Sequence, residues 1–164
     1  MKIIINNEND TIKLGLIIAK ITSNKNIFCF KGDLGAGKTT LIRNIIKNLT
    51  NVKEVPSPTF PMLLSYQYNN ITIYHYDMYR LNKPEDVWNL DLEEALNNGI
   101  VFIEWPEIIE PFLPKSKITI TISIINNNIR NVKILANKEF TNKIENCYKS
   151  NDQKNKKQHK NKYF

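Results

Sequence analysis

The sequence predicts an α/β domain with a largely parallel central sheet and antiparallel additions. Three observations predict it. "NIFCFKG" (26–32) and "GIVFIE" (99–104) are continuous apolar runs, as strands buried on both faces require. The first leads through glycines into "KTTLIRNIIKNL" (38–49), where Leu41, Ile42, Ile45, Ile46 and Leu49 follow helical spacing. "KITITISII" (117–125) alternates instead, so Ile118, Ile120, Ile122 and Ile124 share one face of a strand. Strands alternating with amphipathic helices are the pattern of an α/β sheet.

The remaining elements follow in chain order. "KIII" (2–5) reads as a short strand. "NDTIKLGLIIAKI" (9–21) reads as a well-buried helix, apolar on nearly every side, with Asn9 or Asp10 as its cap. "VPSPTFP" (55–61) carries three prolines and excludes regular structure. "LLSYQYNNITIYHYD" (63–77) reads as two strands joined at Asn69-Asn70, residues that tolerate the positive φ of a tight turn. "KPEDVWNLDLEEAL" (83–96) reads as one helix, with Pro84 near its first position and acids in its first turn. "IRNVKIL" (129–135) should pair with the alternating strand across Asn126-Asn127-Asn128. The domain then spans 1–136, followed by a possibly helical extension at 137–148 and a basic tail at 149–164.

The chain has 164 residues, enough for one domain with a real core, and is 41% hydrophobic and 24% charged. No apolar run approaches the about 20 residues of a membrane span, and "MKIIINNEND" has too short an apolar segment for a signal peptide. Cys29 and Cys147 lack metal-ligand spacing; Cys29 sits in an apolar run and reads as core. A reducing, cytoplasmic setting is expected. Six lysines and one aspartate in 149–164 carry most of the formal net charge of +7, leaving a nearly neutral body. That tail has no apolar periodicity and is expected to be disordered, either simply solvated or in weak contact with RNA phosphates.

Gly32, Gly37, Lys38 and Thr39, within "GDLGAGKTT" (32–40), fit G-x-x-x-x-G-K-[ST]. Glycines let backbone N–H groups curl around an anion, and the following helix points its positive end at the same place. Lys38 supplies a mobile charge for the β- and γ-phosphates, and the Thr39 hydroxyl can ligand Mg²⁺. Between a buried strand and an amphipathic helix, the motif predicts a three-layer, P-loop NTPase-like domain. Such a site also needs an acid near the metal, usually at the end of a second buried strand. Asp77 and Glu104 both end apolar runs, and pattern alone does not rank them. Thr59 in "SPTF" reads either as a mobile switch group or as part of an ordinary proline-rich connection. Arg80 reads as a phosphate neutraliser or a surface ion pair. His75 falls inside a strand and reads as packed; Trp88 and Trp105 read as core or interface.

A GTPase would need N-K-x-D, but "NKPE" (82–85) lacks the Asp and comes early, and Asp77 is followed by "MYR" rather than D-x-x-G. A small-molecule kinase would need an acceptor lid, usually arginine-rich, and Arg43, Arg80 and Arg130 are the only arginines.

"GDLGAGKTTL" (32–41), "SPTF" (57–60), "YHYDMYRL" (74–81) and "FIEWPE" (102–107), in that order, closely resemble the bacterial TsaE (YjeE) family. "TIKLGLIIA" (11–19) resembles that family's opening, and "LP" at 113–114 also fits. The resemblance covers roughly residues 1–136. It implies an ATP- and Mg²⁺-dependent ATPase required for threonylcarbamoyl modification of the adenosine next to the anticodon, in tRNAs reading codons that start with A. It implies action with the TsaB–TsaD pair, of which TsaD carries the transfer chemistry, and contact with tRNA through that complex. Carried over by position, Gly35, Ala36, Gly37, Lys38, Thr39 and Thr40 resemble the phosphate cradle, and Thr39 and Glu104 the Mg²⁺ ligands. Asp77 resembles the acid that orients or activates the attacking water, Thr59 a switch residue, Trp105 a neighbour of the site and Thr11 part of the segment flanking adenine. Pro61 stands where the family commonly has a non-proline residue, and Asp91 where Gly is usual. Weak hydrolysis by the isolated chain is expected. An ATP-gated assembly module with incidental hydrolysis, or an independent kinase, are the alternatives.

Overall fold

The computed structural model describes residues 1–160, and the side-chain surroundings of residues 1–150. Seven strands form one sheet: β1 (Lys2–Ile5), β2 (Ile27–Lys31), β3 (Leu63–Tyr68), β4 (Ile71–Asp77), β5 (Ile100–Glu104), β6 (Ile118–Ile124) and β7 (Arg130–Leu135). Their order is β1-β7-β6-β2-β5-β4-β3. The inner strands β6, β2, β5 and β4 run parallel, while β7, β1 and β3 add antiparallel. The expected architecture is therefore the observed one. The helices are α1 (Glu8–Ile21), α2 (Lys38–Thr50), α3 (Leu92–Asn98) and α4 (Lys138–Lys160).

Alternation along β2 and β5 builds three layers. Phe28, Phe30, Ile100 and Phe102 face α1 and α2, joining Leu14, Ile17, Ile18, Leu41, Ile42 and Ile45. Ile27, Cys29, Val101 and Ile103 face the other way, onto Val87, Leu92, Ala95 and Ile109. A central strand covered on both faces has no polar side, which is why these runs are unbroken in sequence. Burial pushes the Cys29 thiol up to about 12, so it stays a neutral core group.

Several local expectations are corrected. The cap of α1 is Asn7, not Asn9 or Asp10. Its side chain accepts from the Asp10 amide at 3.1 Å, while Asp10 accepts from the Asn6 amide at 2.9 Å. The Asn7 contact satisfies one of the amides that the helix start leaves open, and the Asp10 contact ties the residue before the cap to the first turn. The single helix expected over 83–96 is two pieces: a 3₁₀ segment, Pro84–Leu90, and α3. Asp91 between them is left-handed at φ 55°, and the Tyr76 hydroxyl pins the first piece by donating to the Leu90 carbonyl at 2.8 Å. A short acidic side chain tolerates that conformation better than most, though glycine suits it best.

The tail is corrected too. Asn137 caps α4 by accepting from the Phe140 amide at 2.8 Å, and Phe140 and Ile144 are buried in the first core cluster. The helix runs on to Lys160, where the sequence suggested disorder from 149. No glycine or proline occurs after Pro114 to end it. Residues 161–164 of that expected tail lie outside the described residues.

Candidate functional site

The loop between β2 and α2 is built by glycine. Gly32 adopts φ 133°, and a β-carbon there would collide with the Ile122 carbonyl oxygen. Gly37, at φ 106°, is the residue from which α2 starts, with no side chain covering the helix's first amides. The loop therefore presents backbone donors and a helix N-terminus to one point, the arrangement that holds phosphate.

Lys38 is the first residue of α2 and is 5% exposed. Its Nζ donates to the carbonyls of Gly32 at 2.6 Å and Asp33 at 2.9 Å, and lies 3.7 Å from the centroid of the Trp105 ring. Burial pushes its pKa down, and the carboxylates of Glu104 and Asp77 oppose that shift. Trp105 holds the left-handed φ of 56° immediately after β5, and its ring also packs on Tyr79.

Asp77 and Glu104 end the adjacent parallel strands β4 and β5 and are register partners. This is the sheet edge where ligands of open α/β folds collect. Thr39 donates to Glu104 Oε2 at 2.8 Å. Thr59, from the proline-rich connection, donates to Asp77 Oδ2 at 2.6 Å, and the Tyr79 amide donates to Asp77 Oδ1 at 3.0 Å. The loop carrying Thr59 is tied down elsewhere, since Arg43 Nε donates to the Val55 carbonyl at 2.6 Å.

Among the described residues, the buried polar and charged side chains outside the hydrophobic core, Lys38, His75, Asp77 and Glu104, all belong to this one cluster. Burying ionisable groups is costly unless they serve one another or a ligand. His75 was expected to be packed, and it is fully buried. It also does something the sequence reading missed: its Nε2 lies 2.9 Å from Glu104 Oε1. The ring's other nitrogen, Nδ1, is buried with no hydrogen-bond partner among the described residues. The signal was available, because His75 lies two residues before Asp77 on a strand and so shares its face.

Two cavities flank the loop. One, of about 180 Å³, is lined by Lys38, Thr39, Thr59, Asp77, Glu104 and Trp105. The other, of about 520 Å³, is lined by Thr11, Ala36, Asn6, Asn7, Asn127 and Arg130. Gly35, Gly37 and Thr40 line both. Of the residues named from the sequence, Thr11, Gly35, Ala36, Gly37, Lys38, Thr39, Thr40, Thr59, Asp77, Glu104 and Trp105 line one cavity or the other, while Gly32 lines neither. Arg80 lines neither; its guanidinium lies 5.3 Å from the centroid of the Phe60 ring, with no ion pair to a described residue. Trp88 packs on Phe112, away from the loop.

Mg²⁺ takes oxygen ligands and is usually held by one or two protein groups together with substrate phosphates. The Thr39 hydroxyl and Glu104 carboxylate, side by side at the loop, fit that requirement.

A seven-stranded mixed sheet with a glycine loop feeding a helix at its carboxyl edge defines a P-loop NTPase-like protein. The crystal structure of Bacillus subtilis YdiB superposes with a TM-score of 0.71 over 92% of this chain and 95% of that one, at 21% identity, which shows a shared fold. A family profile described as threonylcarbamoyl adenosine biosynthesis protein TsaE matches residues 5–132. The tRNA threonylcarbamoyladenosine biosynthesis protein TsaE of Rickettsia felis is 42% identical over 136 residues, covering 82% of this chain and 80% of its own. The protein of that name from Nostoc sp. is 34% identical over 138 residues, covering 81% and 84%. The chain belongs to the TsaE family.

Proposed function

We propose that this protein is a Mg²⁺-dependent ATPase that supports threonylcarbamoyl modification of tRNA in the cytoplasm, acting with the TsaB–TsaD pair. The observation that carries the reading is the gathering of Lys38, Thr39, Asp77 and Glu104 in one small cavity at the glycine loop. The family's names supply the pathway.

ATP lies with its phosphates on the loop amides from Gly35 to Thr40 and its nucleoside in the larger cavity beside Thr11. Lys38 turns from the Gly32 and Asp33 carbonyls to the β- and γ-phosphates. Thr39 and Glu104 would hold the metal, which when bound would supply charge neutralisation at the phosphates. Asp77 orients the attacking water by accepting one of its protons in a hydrogen bond. Thr59 holds Asp77 in place and is the group best positioned to couple the γ-phosphate to the 55–61 connection. Trp105 closes one side of the cavity over Lys38.

Asp77→Asn tests the assignment. It should keep ATP binding while slowing hydrolysis by about 10²–10⁴-fold, and tRNA modification in a reconstituted system should fall with it. Full modification by the variant would leave only the gating role for ATP.

A further inference from the structure

The three-layer arrangement is incomplete. On the face opposite α1 and α2, the second core cluster draws on β2, β4 and β5 but takes no residue from β6, β7 or β1. The open half of the sheet shows Thr119, Thr121 and Ser123 of β6, Asn131 and Lys133 of β7, and Lys2 of β1, none of them buried, with the exposed Ile4 and Leu135 as its apolar members. The register aligns them. Lys31 pairs with Thr121, Thr121 with Lys133, and Lys133 with Lys2. One row across four strands, about 14 Å long, therefore carries three lysines and a hydroxyl.

Lys115 and Lys117 extend this basic strip beside a groove of about 650 Å³, lined by Lys31, Lys115, Lys117, Thr119, Thr121 and Glu110. Glu110 pairs with both Lys31 and Lys117 at 2.9 Å, so one carboxylate is shared between two ammonium groups. Lys2 and Lys133 sit directly opposite each other, a like-charge pair that repels unless an anion lies between. The concentration is notable because the chain outside 149–164 is nearly neutral overall.

We propose that this open sheet face is a docking surface for the phosphodiester backbone of a folded RNA. Lysines spaced along a rigid row suit successive phosphates, and threonine, serine and asparagine suit phosphate oxygens and 2′-hydroxyls. No aromatic ring stands in the row to stack a base, so recognition is of backbone and shape rather than sequence. The relatives' pathway makes tRNA the RNA to test. Lys31 immediately precedes Gly32, so the strand that presents the face also enters the phosphate loop. The surface is separate from both nucleotide cavities and goes beyond the ATPase reading.

The test uses the full chain and an unmodified tRNA transcript whose anticodon reads an A-starting codon. Affinity is measured by fluorescence anisotropy across a salt series, for the parent chain, the double variant Lys2→Gln/Lys133→Gln and the double variant Lys2→Arg/Lys133→Arg. ATP affinity is measured on each as a check of the fold and of the separate ATP reading. The Gln variant should weaken tRNA binding and flatten the log K against log salt plot by about 2, about one for each lost phosphate contact, with ATP affinity unchanged. The Arg variant should bind tRNA like the parent. No tRNA binding by the parent, or an unchanged salt slope in the Gln variant, overturns the proposal. So does binding to phosphatidylserine vesicles without binding to tRNA. Loss only on Lys154→Gln/Lys156→Gln/Lys157→Gln, with the face variant unaffected, assigns RNA contact to the C-terminal segment and overturns it as well.

Discussion

The two cavities beside the glycine loop are built on opposite terms. The smaller one holds Lys38, Asp77 and Glu104, all nearly inaccessible, and each already hydrogen-bonded to a neighbour. The larger one mixes amides and hydroxyls such as Asn6, Asn7, Thr11 and Asn127 with apolar side chains such as Ile5 and Ile122, and its charged groups, Glu8 and Arg130, are not buried. Charges removed from water interact strongly and tolerate little displacement, whereas exposed amides and hydroxyls exchange easily with solvent. The difference teaches a division of labour. Changes on the buried side should alter metal use, phosphate binding and rate, while changes on the open side should alter nucleotide affinity alone, and mildly.

Lys38→Ala tests the buried side most severely. It removes a charge-assisted phosphate contact of about 1.5–3 kcal/mol. ATP affinity, read by calorimetry, should drop roughly ten- to a hundredfold. Unchanged affinity would remove the phosphate-cradle assignment.

His75→Phe comes next. It deletes the hydrogen bond that orients Glu104 without touching ATP itself. Partners behind a metal ligand typically matter by about 10–100-fold, so the Mg²⁺ concentration for half-maximal hydrolysis should rise by about tenfold. His75→Gln, which can still donate, should restore much of it. A loss of folding without any change in Mg²⁺ requirement would make His75 a packing residue only.

Thr11→Ala probes the open side. Loss of one hydroxyl contact of about 0.5–1.5 kcal/mol should weaken ATP binding by a few-fold and leave the rate at saturating ATP unchanged. A rate defect there would break the division between the cavities.

The smallest effect belongs to neither cavity. Lys117 and Lys31 hold Glu110 below the usual carboxylate range. A depressed folded pKa contributes stability above the unfolded value, and that contribution disappears as pH falls through the folded one. Both partners are partly exposed, so Glu110→Gln should cost at most about 1 kcal/mol at neutral pH. Denaturant titrations should show the difference from the parent shrinking at acid pH.

What sequence made visible was local. The glycine loop, the helix after it and the Asn69-Asn70 turn are set by backbone preference and periodicity, and all lie where expected; Asn69 and Asn70 have φ 46° and 64°. What it left hidden depended on register. Asp77 and Glu104 are 27 positions apart, and only the pairing of β4 with β5 makes them neighbours. The Thr59–Asp77 and His75–Glu104 contacts likewise exist only after the sheet and the proline-rich connection are in place. The break at Asp91 ran against the helical pattern of the segment: its backbone is left-handed, between Val87 and Leu92, which are both buried in the second core cluster. The open lysine row was invisible because its members come from three different stretches of chain, near residues 2, 31 and 133.

The central claim is that the buried cavity hydrolyses ATP as part of an assembly. The most direct measurement is ATP turnover by the purified protein, alone and after addition of the TsaB–TsaD pair. The account predicts slow turnover alone, far below about 10 s⁻¹, and strong stimulation by the pair, abolished by Asp77→Asn. Turnover near that rate without partners, or no response to them with turnover following a small-molecule acceptor instead, would contradict it.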